Sequence, residues 1–200
     1  MCVGIYLQPF LINIVNKHTQ SGFIEVAIFA TILFFAIATV AVRHFNEHRK
    51  LQANISQSNS IRIVRDALQK YADVNKASFR QSKEIMYVNN QYAPDLKELK
   101  DLGFLTVSGY DMALQFGSGI ATKVTLTNPP VIDGFVYLTS GVKDKDGQPD
   151  PQRACAIARA LADIGICSSK STPNILGNSK VQKPNPTGLP AIVGALIYVK

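Results

Sequence analysis

The dominant feature of the hydrophobic pattern is one unbroken apolar run. Residues 23–42, FIEVAIFATILFFAIATVAV, contain only Glu25, Thr31 and Thr39 as residues that are not plainly apolar. A helix needs about 20 such residues to cross a hydrocarbon core of about 30 Å. The competing assignment is a buried core helix, and it fits poorly because helices of globular proteins seldom stay apolar on every face. The run ends at Arg43, after which Arg43, His44, Arg49 and Lys50 form a polar, basic collar. The pattern predicts a membrane helix. A second apolar stretch, residues 3–15, is too short to span. It reads either as the h-region of a signal peptide, though no small-residue cleavage pattern follows directly, or as translation from an upstream start codon.

Beyond the collar the helical pattern continues. No Pro or Gly occurs between Phe23 and Phe79, and these two residues are the strongest local breakers. Ile61, Val64, Leu68 and Tyr71 follow 3-4-3 spacing, with Ala67, Ala72 and Val74 widening the stripe and Arg62, Arg65, Asp66 and Lys70 mostly off it. The expectation is a single helix of roughly 50 residues, or about 75 Å at 1.5 Å per residue. Its first half, residues 23–42, is apolar all round, and its second half, residues 43–79, is amphipathic. The second half needs a surface to pack on, and residues 80–200 are the candidate.

That remainder reads as an α+β head with a small antiparallel sheet. Residues 94–102, PDLKELKDL, predict a short helix with Pro at its start and Gly103 just past its end. Residues 112–116, 123–127 and 135–139 predict short strands, separated by the turn signals GSG and NPP. Asp150 and Pro151 supply an N-cap and first-turn pair for a helix, PQRACAIARALADIG. Residues 168–186, rich in Ser, Pro, Asn and Lys, read as loop, and residues 191–199, AIVGALIYV, as an apolar terminal strand central in the sheet.

Composition changes this picture little. With 46% hydrophobic and 18% charged residues the chain is too apolar for disorder. The net charge of +7 could suggest a nucleic-acid partner, but the basic residues are scattered singly and no run interleaves them with aromatics, so none is expected. Orientation has two opposing signals. The collar carries more positive charge than the flank before the apolar run, where only Lys17 and His18 stand, and this would keep the C-terminal part in the cytoplasm. Cys155 and Cys167 suit a disulfide in an oxidising compartment, or two reduced, buried thiols. If Cys155 sits on a helix, the chain must fold straight back for Cys167 to reach it, and Gly165 offers the backbone freedom.

The order of parts resembles a type IV prepilin, and most closely the type IVb branch. A short leader ends at Ser21-Gly22 with Phe23 following, an apolar helix with an early glutamate runs into an amphipathic helix, and a small α+β head comes last. The segments NSIRIVRDALQKYADVN, LKELKDLGFL and GFVYLTSG…PQRACAIARALADIG are similar to PilV-type minor pilins of conjugative plasmids. The resemblance implies a pilin-like fold and four segments: leader 1–22, transmembrane half-helix 23–42, amphipathic half-helix 43–79 and head 80–200. It implies cleavage by prepilin peptidase after Gly22, N-methylation of Phe23, and an assembly contact for Glu25. The family's glutamate is the fifth mature residue, whereas Glu25 would be the third; a cut after Gln20 would restore the count but place glutamine where glycine is required. Implied partners are other pilin subunits, the peptidase, the inner membrane and a recipient or host cell surface. The protein would reside in the inner membrane before assembly and then in an extracellular pilus, with a periplasmic or extracellular head.

Catalytic readings find little support. His44, Glu47 and His48 spell an inverted zinc-protease motif, with the two histidines one helical turn apart. The motif falls at the exit of the apolar helix and reads as part of the collar. Residues 143–150 alternate aspartates with a glycine as a calcium loop does, but Cys155 stands where the closing glutamate would be. Gly117-Ser118-Gly119 has no third glycine or helix start for a dinucleotide loop. No enzyme activity, cofactor or metal is expected. The leading expectation is a minor, tip or adhesin-type pilin. The alternatives are a major type IVb pilin, a type II secretion pseudopilin or, from another class, a single-pass membrane protein with a sensor or enzyme head.

Overall fold

The computed structural model describes the backbone of residues 8–115, 119–127 and 131–199, with side chains from residue 25 onward except at 114 and 115. The chain divides into two units, residues 1–50 and 51–200. Helix α1 (Gln8–Val74) runs through the first and into the second. The second unit holds α2 (Lys76–Arg80), α3 (Leu96–Asp101), α4 (Val107–Gln115), β1 (Ile120–Thr127), β2 (Val131–Leu138), α5 (Pro151–Ala160), β3 (Gly165–Cys167), β4 (Ile175–Gly177), β5 (Gln182–Pro184) and β6 (Val193–Val199). The six strands form one antiparallel sheet in the order β1-β2-β6-β3-β4-β5. This is the expected α+β head, with β6 central between β2 and β3.

The apolar stripe of α1 builds the core. Ile61, Val64, Leu68 and Tyr71 are buried, as are Ala67 and Ala72, against Ile132, Val136 and Leu138 of β2 and alternate residues of β6, Val193 to Val199. Val74, expected to widen the stripe, is instead 71% exposed. The helix also ends there, short of Phe79. The Asn75 side chain donates to the Tyr71 carbonyl at 2.9 Å, an alternative partner of the kind that lets asparagine end helices, and α2 begins at the next residue.

Polar side chains of α1 complete the sheet where strands do not. On its β3 side, β6 is paired only at Val193, Gly194 and Ala195. Beyond them, Arg65 Nε donates to the Leu196 carbonyl at 2.9 Å. The Gln69 amide donates to the Tyr198 carbonyl at 2.8 Å and its oxygen accepts from the Tyr198 N–H at 2.9 Å. A single side chain thus mimics the exchange of two bonds that a neighbouring strand would make.

Three local expectations need correction. Residues 112–116 are not a strand: 112–115 belong to α4, and Phe116 lies outside the described residues. The Thr106 hydroxyl accepts from the Gly109 N–H at 3.1 Å, as a capping residue does, and buried Leu105, Gly109 and Ala113 recur at helical spacing. Pro94 does not open α3; Asp95 does, accepting from the Glu98 N–H at 2.7 Å while the Glu98 carboxylate accepts from the Asp95 N–H at 2.8 Å, a reciprocal capping box. Residues 168–186 are not all loop. Asn178 Oδ1 accepts from the N–H groups of Lys180 and Val181, an Asx turn that joins β4 to β5. Buried Leu176 packs with Phe135, Ile166, Ile192 and Leu196 in a second, smaller core. β2 and β5 are not neighbours in the sheet, yet Lys183 of β5 pairs with Asp133 of β2, so the sheet curls until its end meets its own second strand.

An aromatic cluster closes the end of the stripe. Tyr71 meets Phe79 and Phe104 edge-on, with centroids 6.0 and 5.7 Å apart, and its hydroxyl donates to the Gln91 carbonyl at 3.2 Å. Burial, aided by the nearby Glu98 charge, holds the Tyr71 phenol protonated well above the usual tyrosine range. In the unfolded chain that proton leaves near pH 10. The contribution to stability is therefore full below about pH 10 and falls as pH rises past it. Tyr71→Phe is expected to flatten the decline of the thermal midpoint of detergent-solubilised protein between about pH 9 and 11; equal slopes for variant and wild type would contradict it.

Candidate functional site

The apolar span is the first candidate. α1 carries an 18-residue window of mean hydropathy 2.4, none of it buried, and among the described residues it is the one helix long and apolar enough to cross a membrane. Phe29 is 77% exposed, and Val26, Phe34, Phe35 and Val40 are exposed with it. A core helix would be covered; this one is not. The Thr31 and Thr39 hydroxyls donate to the carbonyls of Ala27 and Phe35, each at 2.7 Å, so the two neutral polar side chains are satisfied within the helix, as a lipid environment requires. Glu25 is exposed at the start of the described part of the span. Gly22 and Phe23, the expected processing site, lie within α1 but outside the residues whose side chains the structure describes.

Of the two segments that raised metal chemistry, the collar stands open and the aspartate loop is engaged in a turn. His44, Glu47 and His48 are exposed, and among the described residues no group of three or more His, Cys, Asp or Glu side chains could hold a metal. Asp144 Oδ1 accepts from the N–H groups of Asp146 and Gln148, both at 2.9 Å, so this carboxylate shapes a turn.

The second candidate is the junction of α5 and β3. Asp150 caps α5, accepting from the Arg153 N–H at 2.9 Å, with Pro151 in the first turn. Cys155 on α5 and Cys167 on β3 are joined in a disulfide with Cα atoms 5.3 Å apart. The fold-back does not use Gly165 as expected, since that residue is extended, with φ −73° and ψ 135°. The left-handed residue is Ala162, at φ 57°. Gly165 is required for a different reason: a Cβ there would lie 1.9 Å from the Ala158 carbonyl oxygen.

Beside the disulfide is a groove of about 310 Å³, whose lining includes Cys155, Arg159, Asp163, Cys167, Asn178 and Lys180. Lys180 pairs with Asp163 at 3.3 Å, but both are well exposed and the pair contributes little. Asn178 Nδ2 donates to the carbonyls of Asp163 and Gly165, which ties the β4–β5 turn to the junction. The groove's outer wall, the β4–β5 hairpin, was not anticipated from sequence; the signal was Asn178 three residues before Val181, an Asx-turn spacing inside a stretch of loop composition. No family model, curated protein or solved structure matches the chain.

Proposed function

We propose that this chain is a type IVb pilin-like subunit of the minor, tip or adhesin kind, held in the inner membrane and then built into a pilus that serves attachment or conjugation. The observation that carries this reading is α1 itself. One helix leaves its apolar early turns wholly unburied while its later turns supply the core of an α+β head. An uncovered apolar helix is stable in a bilayer, and equally stable once surrounded by copies of itself, so one segment serves storage in the membrane and packing in a filament.

Prepilin peptidase would cut after Gly22 and free the amine of Phe23, which is then methylated. A carboxylate within the bilayer is costly unless partnered, and the Phe23 amine of a neighbouring subunit is a partner of opposite charge for Glu25. The head, closed by a disulfide, would face the periplasm and later the exterior, where such bonds persist. Partners on this reading are other pilin subunits, the peptidase and a recipient or host cell surface.

Glu25→Gln tests assembly, because it keeps shape and removes charge. The variant is expected to remain in the membrane with a folded head, while its amount in sheared filaments falls at least about tenfold, the scale of removing one partner from a desolvated pair. Incorporation equal to wild type would deny Glu25 the assembly role.

A further inference from the structure

The basic collar follows the apolar span immediately, and its charges are free to act outward. Arg43, His44, Arg49 and Lys50 are all exposed, and among the described residues no ion pair engages Arg43, Arg49 or Lys50. Glu47 is the one acidic residue between positions 43 and 50. At about 100° per residue, Arg43 and Lys50 share one side of the helix and Arg49 lies about 100° or more away, with the two histidines on a third sector. The three cations therefore spread over about 120° of the helix surface, wider than a single file of side chains. A basic cluster directly at the end of an apolar span lies where anionic headgroups would meet it. From Arg43 to Lys50 the helix rises about 10 Å, comparable to one polar headgroup layer. The Arg49 guanidinium lies over the Phe45 ring, 5.2 Å from its centroid, which pairs an aromatic and a cation at interfacial depth.

Topology sharpens the point. The disulfide marks the side of the head as oxidising, and the collar follows the span on the head's side. Cations on the non-cytoplasmic side oppose the charge bias that orients membrane helices, so setting orientation does not account for them. We infer that the collar of Arg43, Arg49 and Lys50 binds the headgroups of anionic phospholipids in the leaflet that faces the head. The inference rests on the membrane-spanning reading of α1.

The full chain is reconstituted into vesicles of phosphatidylcholine alone and of phosphatidylcholine mixed with phosphatidylglycerol. Insertion is read by resistance to alkaline extraction, and lipid preference by native mass spectrometry of the lipids retained after detergent release. The wild type is expected to resist extraction from both vesicles and to retain phosphatidylglycerol in about tenfold or greater excess over its share of the mixture. The triple variant Arg43→Gln, Arg49→Gln, Lys50→Gln is expected to resist extraction equally and lose the excess. The head variant Lys143→Gln, Lys145→Gln, Lys170→Gln, with the same change in net charge at exposed positions, should keep it. Inserted wild type with no lipid preference, or an excess that survives in the collar variant or vanishes equally in the head variant, would overturn the assignment. Extraction of the wild type from both vesicles would instead remove the spanning reading, and the collar's role with it.

Discussion

Gly165→Ala is expected to destabilise the head by at least about 3 kcal/mol, the upper end of the range for overpacking. The added Cβ would stand 1.9 Å from the Ala158 oxygen and 2.7 Å from its carbonyl carbon, both backbone atoms that no rotamer change can move. Neither side of the contact can retreat. Ala158 belongs to α5, whose Ala154 and Ile157 are buried in the main core. Gly165 pairs with Ala195 of the central strand, and Cys167, two residues on, is bonded back to α5. Against a domain stability of about 5–15 kcal/mol, such a loss is a large fraction of the total. Chemical denaturation of detergent-solubilised protein, followed by near-ultraviolet circular dichroism, measures it. Gly147→Ala is the control. Gly147 has φ +78° but open space around it, so strain without a clash should cost only about 1 kcal/mol. Equal effects for the two variants would contradict the close-approach account.

The second large effect is expected from Cys155→Ser. The bond closes a loop with a sequence separation of 12, and the chain-entropy estimate for a loop of that length is roughly 3 kcal/mol. The loss should appear as a lower denaturation midpoint in oxidised protein and shrink towards zero when wild type and variant are compared under reducing conditions. Non-reducing mass spectrometry of membrane-extracted protein should find Cys155 joined to Cys167. Both thiols free and open to alkylation in intact protein would contradict the bond, and would remove the main argument for placing the head in an oxidising compartment.

Much of this architecture was legible in the chain because it rests on long, consistent patterns. The absence of Pro and Gly over 23–79 and the 3-4-3 stripe from Ile61 to Tyr71 point to one helix with one buried face, and α1 buries that face. Asp150-Pro151 signals the start of α5, where cap and first turn need nothing from elsewhere in the chain. What escaped depends on contacts distant in sequence or on very short elements. VSGYDMALQ has no strong preference of its own and becomes helix through the Thr106 cap and the packing of Gly109 against Ile63, where an added Cβ would come within 2.8 Å of the Ile63 side chain. β4 and β5 are three residues each, and they hold through Leu176 and the Asp133–Lys183 pair, neither visible as a local pattern. The fold-back to the disulfide was readable from the cysteines but not its hinge, since alanine at φ 57° is not what turn chemistry favours. For the candidate site, the apolar span and the cysteine pair were legible, while a role for the collar's exposed cations emerged only once the span, the disulfide and the exposure of Arg43, Arg49 and Lys50 were considered together.

The measurement that bears most directly on the pilin reading is the N-terminal sequence of the mature protein, taken from membranes of cells that contain a prepilin peptidase and of cells that lack it. The reading predicts a chain that begins at Phe23 with a methylated amine in the first case and an uncleaved chain in the second. Gly22→Val should remain uncleaved in both, because its branched Cβ crowds the backbone the peptidase must admit. Mature wild-type protein that still begins at Met1 in cells containing the peptidase would contradict it.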